Sequence, residues 1–382
     1  MKILHVTPCY KPAYIYGGIT ESISRLCTAM AQSGHSVYVF TTTANGNREL
    51  PVVAGKEHDV DGVKVTYFRR LTKDPTHVSP ALWKHLWRDC HRFDAVHIHS
   101  WWNVLAMMAA WICILNNVKI IISPRGMLCS YIFNSTHVRT KKWIHRIVGR
   151  RVLSKSVFHA TAQSEYDECT QLIKGWRGFM LPNLLQLSEC VITRTVNPHF
   201  AIIFLSRIHP KKGIELLLKA IVDLPFAIKL KIAGTGESEY IGELKRQVES
   251  LGIIEKVEWL GWINRDEKFI ELMQSDCMVL TSYNENFANV VIESLHVGTP
   301  VLISENVGVA DFVRKENTGW VTGLDAGEVR QTIIQAFEDR STREYVNRNG
   351  TQIVEKCFCQ AELIRQYIEN YQKMGYNQRS GN

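Results

Sequence analysis

Cys277-Met278-Val279-Leu280-Thr281-Ser282-Tyr283-Asn284-Glu285-Asn286-Phe287-Ala288-Asn289-Val290-Val291-Ile292-Glu293-Ser294-Leu295 decides how the chain is read. The apolar start, Cys277 to Leu280, is a strand that runs into a short polar loop. A helix is expected to open near Ala288 or Asn289. Glu285 then falls on the loop and Glu293 one to two turns into the helix. The first helical turn leaves backbone N–H groups without intrahelical acceptors, and these suit a phosphate. A carboxylate on each side of such an anion site can accept hydrogen bonds from sugar hydroxyls. Together these features suit a sugar nucleotide. The plainer alternative is a loop carboxylate and a solvated helix glutamate.

The context favours the first reading. Asn286-Phe287-Ala288-Asn289-Val290 lies between the two glutamates, and Gly298-Thr299-Pro300-Val301 follows. The segment resembles the E-x7-E element of the GT4 family, retaining glycosyltransferases of GT-B fold. The resemblance implies that Glu285 contacts the transferred sugar and Glu293 the nucleotide ribose. It also implies that Asn286, Phe287, Ala288, Asn289 and Val290 surround the donor. Ala288 replaces the glycine usual in that family. A methyl group at a phosphate-facing helix start would narrow the site.

At 382 residues the chain is long enough for two domains. Its apolar content of 46% and charged content of 21% are ordinary for a soluble globular protein. Met1 to Val6 reads as a strand entry that Thr7-Pro8 ends, so no signal peptide is expected. The longest apolar run, Val104 to Leu115, is about half of what a bilayer span needs and reads as a buried helix. The ten cysteines form no C-x-x-C pair, and Cys357-Phe358-Cys359 is too tight for an ordinary zinc site. Reduced thiols in a cytoplasmic protein are the plain reading.

The net charge of +8 has a local source. In 138–153, Trp143, Ile144, Ile147, Val148 and Val152 recur at helical spacing among Arg139, Lys141, Lys142, Arg146, Arg150 and Arg151. Such a helix can lie on anionic lipid, at the inner face of the plasma membrane. It can equally be a solvated face over a core stripe. No basic platform with interleaved aromatics suggests nucleic acid.

Apolar strands alternate with amphipathic helices throughout, which predicts α/β with parallel sheets. Strands are expected at 2–6, 36–41, 63–68, 94–98, 118–123, 157–161 and 178–181, then at 201–205, 227–232, 256–260, 277–281 and 300–303. The break between the two series falls in Pro182 to Pro198, which has two prolines and no clear periodicity. GT-B has this architecture: two Rossmann-like α/β domains facing a cleft. The expected domains are 1–185, binding the acceptor, and 186–360, binding the nucleotide sugar. In GT-B the last helix crosses back, and 361–376 could pack on the first domain.

The strand at 201–205 ends in Ser206-Arg207-Ile208-His209-Pro210-Lys211-Lys212-Gly213. Two cations at the end of a parallel strand face the usual ligand crevice. A diphosphate gains charge as its sugar bond breaks, and Arg207 and Lys212 could stabilise it. They match the Arg and Lys of the GT4 donor-phosphate motif. Surface charge near a helix start is the alternative, but cations there oppose the helix dipole.

Tyr16-Gly17-Gly18-Ile19 opens the first long helix. Its place resembles the GT4 glycine loop that contacts the donor diphosphate, so Gly17 and Gly18 join the donor-binding candidates. The absence of G-x-G-x-x-G after the first strand argues against a dinucleotide-dependent dehydrogenase. Ala233-Gly234-Thr235-Gly236 reads as mainly structural. Trp262, after Leu260-Gly261, is either near the nucleotide base or a packed indole.

His97 and His99 share one face of their strand. His97 suits a hydrogen-bonded core position, and His99 could orient an acceptor hydroxyl. In Ile122-Ser123-Pro124-Arg125-Gly126-Met127-Leu128, Arg125 stands where many GT4 enzymes carry a sugar-contacting His. The Pro-Arg-Gly-Met-Leu form resembles a bacterial polysaccharide-type subgroup. His99 and Arg125 are thus the acceptor-side candidates.

No D-x-D motif lies at the end of one of these expected strands, so no metal and no cofactor is expected. The expected activity is a retaining, metal-independent transfer from a UDP- or GDP-linked sugar to a glycan or lipid-linked acceptor in surface polysaccharide or lipopolysaccharide biosynthesis. Alternatives are a GT-B-type nucleotide-sugar epimerase and a non-catalytic sugar-nucleotide-binding subunit.

Overall fold

The computed structural model describes residues 1–129, 138–187, 194 and 197–375. The chain divides into two compact units. One is Met1–Leu185 together with the segment from Gln360, and the other is Gln186–Cys359.

The first unit is built on β1 (Lys2–Val6), β2 (Ser36–Thr42), the short hairpin β3 (Ala44–Asn45) and β4 (Arg48–Glu49), β5 (Glu57–Val60), β6 (Val63–Phe68), β7 (Ala95–His99), β8 (Ile120–Ser123), β9 (Val157–Ala160) and β10 (Gly178–Met180). Eight of these form one sheet in the order β10-β9-β8-β7-β1-β2-β6-β5. The pairings are parallel except β5 with β6. The sequence reading contains neither β5 nor the hairpin. β5, Glu57-His58-Asp59-Val60, is a polar edge strand without the apolar run that marks a parallel one.

The second unit carries β11 (Phe200–Leu205), β12 (Ile228–Ala233), β13 (Val257–Gly261), β14 (Cys277–Leu280), β15 (Val301–Ser304) and β16 (Gly319–Thr322). They pair in parallel in the order β13-β12-β11-β14-β15-β16. β16 and the helix Ala310–Lys315 before it are also absent from the sequence reading.

Both sheets are doubly wound. In each, chain order reverses beside the first strand, between β1 and β7 in one unit and between β11 and β14 in the other. Ligands of such sheets bind beyond the carboxyl ends of the strands at that reversal. The central strands β7, β8, β14 and β15 are buried throughout, which fits coverage on both faces.

The final helix, Gln360–Gly375, packs on the first unit. Leu363, Ile364, Tyr367, Ile368 and Tyr371 enter the core formed by Ile3, Val37, Val65 and Ile121. The basic stretch divides into the helix Val138–Ile144, a π-helical turn His145–Gly149 and a short helix Arg150–Leu153. No helix among the described residues is long and apolar enough to cross a membrane.

Candidate functional site

The reversal in the second unit joins the two motifs singled out in the sequence. Strand β11 leads to Arg207 and Lys212, and β14 leads to Glu285. These strands are neighbours, with Ile202 opposite Cys277 and Ile203 opposite Met278. Lys212 and Glu285, 73 residues apart, form a direct ion pair. Lys212 is buried and Glu285 partly buried, so water screens the pair less than a surface one.

The loop that carries Lys212 is held on several sides. Tyr283 N–H donates to the Lys211 carbonyl (2.9 Å), and the Thr281 hydroxyl donates to the Gly213 carbonyl (2.8 Å). Gly213 has φ +63°, and a Cβ there would lie 2.2 Å from the Thr281 carbonyl oxygen. Only glycine permits this approach of the Lys211–Gly213 turn to the end of β14. Tyr240 and Tyr283 both donate to the Glu215 carboxylate, at 3.1 and 2.9 Å. Gly234 and Gly236 have the role expected of them: a Cβ at either would meet the Ser206 or Ile208 carbonyl oxygen within 2 Å. The β12 loop thus packs directly under the Arg207 loop. Arg207 itself is exposed and forms no salt bridge among the described residues.

Glu285 is fixed through its backbone. Its N–H donates to the Asn306 carbonyl (3.0 Å), and its own carbonyl accepts from Gly308 N–H (2.8 Å). The helix opens at Asn289, as the spacing predicts, and no side chain caps it. Ala288, before it, has φ +62°. The left-handed conformation favours glycine, and an alanine there is strained by roughly 1–2 kcal/mol. Phe287 is buried against Phe358.

Glu293 is only 4% exposed. Lys268 Nζ donates to it at 2.8 Å from the helix Arg265–Met273. The sequence reading contains no role for Lys268, and no spacing would reveal it, because the pair forms between separate helices. Asn286, Asn289 and Val290 are partly buried along the same loop and first turn. Trp262 is 73% exposed, which excludes the packed-indole reading.

The corresponding edge of the first unit is different. Gly17, at φ +64°, precedes the helix Gly18–Gln32, whose start no side chain caps. His97 and His99 at the end of β7 are fully buried. His159 Nε2–H donates to the Leu181 carbonyl (2.9 Å), so its Nδ1 accepts from the Ser123 hydroxyl (2.6 Å). Ser123 Oγ in turn accepts from His97 Nε2–H (2.6 Å), and His97 Nδ1 accepts from the Tyr371 hydroxyl (2.7 Å). His97 is the hydrogen-bonded core residue the sequence suggests.

Arg125 is buried too. It donates to Asn183 Oδ1, to Ser22 Oγ (3.4 Å) and to His99 Nδ1 (3.4 Å). His99 Nε2–H then donates to His5 Nδ1 (2.9 Å). The structure therefore brings His99 and Arg125 together, within the interior of the unit. Burial, then the Arg125 charge, lowers the pKa of His5 to about 3. The same two causes, in the same order, lower His159 to about 3. Burial also holds His97 and His99 well below the usual imidazole range. Ring nitrogens of His5, His97 and His99 lie close enough together to hold a metal ion. The guanidinium beside them opposes a cation there.

Comparison with known proteins fits these two units. Residues 17–182 match the model of the glycosyl transferase 4-like domain, and residues 193–353 match that of glycosyl transferases group 1. An uncharacterized glycosyltransferase of Methanocaldococcus jannaschii is 24% identical over 97% of this chain and 98% of its own length. The lipopolysaccharide core biosynthesis glycosyltransferase LpsE of Rhizobium meliloti is 26% identical over 43% of this chain and 47% of its own length. Among solved structures, Anabaena HepE in complex with UDP-glucose superimposes with a TM-score of 0.73 at 19% identity, covering 97% of this chain and 99% of that one.

Proposed function

The chain belongs to the glycosyltransferases of GT-B fold, with a 4-like domain followed by a group 1 domain, and from that premise we propose that it transfers a sugar from a nucleotide-diphosphate donor, with retention and without a metal, to a glycan or lipid-linked acceptor. The observation that carries this reading is the Lys212–Glu285 ion pair at the β11–β14 reversal, with Arg207 following β11 and the helix from Asn289 following β14.

In this reading the donor diphosphate lies against Arg207, Lys212 and the N–H groups at the helix start. As the glycosidic bond breaks, charge grows on the phosphate oxygens. Two cations and a helix dipole already in place stabilise that charge more than they stabilise the bound donor. The diphosphate competes with Glu285 for Lys212, which frees the Glu285 carboxylate for sugar hydroxyls. Glu293, its charge balanced by Lys268, accepts from the ribose, and Trp262 lies beside the base. Attack from the face of the departing diphosphate gives retention, with a phosphate oxygen taking the acceptor proton.

A UDP-linked donor is favoured by the likeness to a structure that holds UDP-glucose. A surface polysaccharide or lipopolysaccharide acceptor is favoured by the partial likeness to LpsE. His99 and Arg125 act on the acceptor side by fixing the loops around them. The chain works in the cytoplasm, with the basic stretch 138–153 touching the inner face of the plasma membrane.

Purified protein incubated with a panel of UDP- and GDP-sugars tests the activity. Slow release of sugar with retained anomeric configuration, unaffected by EDTA, is expected. An epimerised donor, no turnover of any donor, or loss in EDTA that Mg²⁺ restores would each overturn the reading.

A further inference from the structure

We propose that Cys357 and Cys359 are a redox modification site: they close into a reversible disulfide with a small disulfide such as glutathione disulfide as oxidant, and closure draws Phe358 away from the loop that carries Glu285. Its effect on the enzyme rests on the donor site read above, whereas the disulfide itself does not.

The proposed transfer leaves the run Cys357-Phe358-Cys359 without a role. Cys357 ends the helix Arg340–Cys357, and Cys359 precedes the helix Gln360–Gly375. Both cysteines are exposed, while the other described cysteines are buried. An oxidant in solution therefore reaches this pair first. Two residues of chain span at most about 7 Å, and disulfides form at Cα separations of about 4.4–6.8 Å. The pair can thus close by a local turn of the backbone. So small a ring is strained, and strained, exposed disulfides are the labile, regulatory ones.

Phe358 couples this turn to the candidate site. Its N–H donates to the Val354 carbonyl (2.8 Å), which holds it at the helix end. Its ring meets those of Phe287 and Phe312 nearly edge-on, with centroids 6.1 and 5.2 Å away. Both contacts lead to Glu285. Phe287 is buried and follows it by two residues. Phe312 lies on the helix Ala310–Lys315, just after Asn306 and Gly308, whose backbone groups hold that of Glu285. Drawing the two sulfurs together turns the backbone of Phe358 and takes its ring with it.

The exchange proceeds in two displacements. The Cys359 thiolate attacks glutathione disulfide and expels one glutathione thiolate. The Cys357 thiolate then attacks the Cys359 sulfur of the mixed disulfide and expels the other. Two electrons pass from the cysteines to the oxidant, and the two thiol protons end on two glutathione thiols. Partial burial, then the Glu316 carboxylate, raises the Cys357 thiol above its usual range, against Lys356 and Lys315. That suits Cys357 to the second displacement, where its target is already tethered.

Peptide mass and hydrogen exchange test the site together. Trypsin cuts after Lys356 and Arg365, so one peptide contains both thiols. After glutathione disulfide and alkylation, this peptide should be unalkylated and two hydrogens lighter, and dithiothreitol should restore it. Amide exchange over 285–291 should be about threefold or more faster in the oxidised protein. UDP affinity should fall by roughly threefold to tenfold, the worth of one aromatic pair. C357S/C359S should show neither change. In reduced protein, Phe358→Leu should speed the same exchange, and oxidation should add nothing to it. A glutathione adduct without ring closure, equal exchange in the two forms, or the same changes in C357S/C359S would each overturn the proposal. Equal UDP affinity in the two forms would overturn its effect on the enzyme. Absence of UDP binding from the reduced wild type would instead overturn the donor reading, with the mass and exchange results still deciding the redox site.

Discussion

The two units place the same sheet edge at the same kind of strand reversal and fill it with opposite chemistry. In the first, the edge is closed by neutral imidazoles, tyrosines and one buried guanidinium: one chain of hydrogen bonds runs from His159 through Ser123 and His97 to the final helix, and a second joins Arg125, His99 and His5. In the second, the edge holds two ion pairs, Lys212 with Glu285 and Lys268 with Glu293, beside an exposed Arg207. One edge has little hydrogen-bonding capacity left for a ligand. The other holds charges that a charged ligand can re-pair. A doubly wound sheet therefore offers a place for a site, and the side chains decide whether the place is used for binding or for anchoring.

The largest expected effect tests the first edge. His5 and His159 bind protons far less readily folded than unfolded. Such groups leave stability intact above pH 6.5 and remove it as pH falls from there toward about 3. Each should lower stability by about 2 kcal/mol at pH 5, or about 4 kcal/mol together. Limited proteolysis at pH 5 should therefore open the first unit before the second. Simultaneous cleavage of both, or early cleavage of the second, would show that the comparison of the edges is wrong.

Next in size, Arg207→Ala and Lys212→Ala should each lower kcat by roughly 10²-fold or more, since they act on charge that develops during the reaction. Steady-state rates on folded protein check this, and near-normal turnover in either would remove it from the machinery. Third, Glu293→Ala should weaken UDP binding by about 1–3 kcal/mol, while Glu285→Ala should lower turnover more than affinity. Calorimetry beside kinetics separates the two, and the reverse ordering would exchange their roles. The smallest effect belongs to Ala288. Ala288→Gly should relieve the left-handed strain at the helix start, offset by glycine's greater chain entropy. A net gain of about 0.5–1 kcal/mol in a urea titration is expected, and a loss would mean that the methyl group is packed usefully.

Much of the fold is legible because parallel strands are buried on both faces. Ile202, Ile203 and Phe204, or Met278, Val279 and Leu280, form apolar runs that punctuate the chain. β5 and the β3–β4 hairpin escape notice because edge strands lack that signal. The run Val104–Leu115 is correctly a helix, yet one of its faces is exposed, because composition reports how apolar a segment is and not what covers it.

The sequence by itself determined the alternation of strand and helix and the two series of strands, and marked Arg207, Lys212, Glu285 and Glu293 as candidates, since periodicity, turn residues and short motifs are local. Only the tertiary structure decided that β11 lies beside β14, so that Lys212 meets Glu285 across 73 residues. It alone paired Lys268 with Glu293, joined Arg125 to His99 in the interior, and linked His97 to Tyr371 of the final helix. These are contacts between segments distant in the chain. They are set by strand order and packing, and no local pattern of residues encodes which loop will face which.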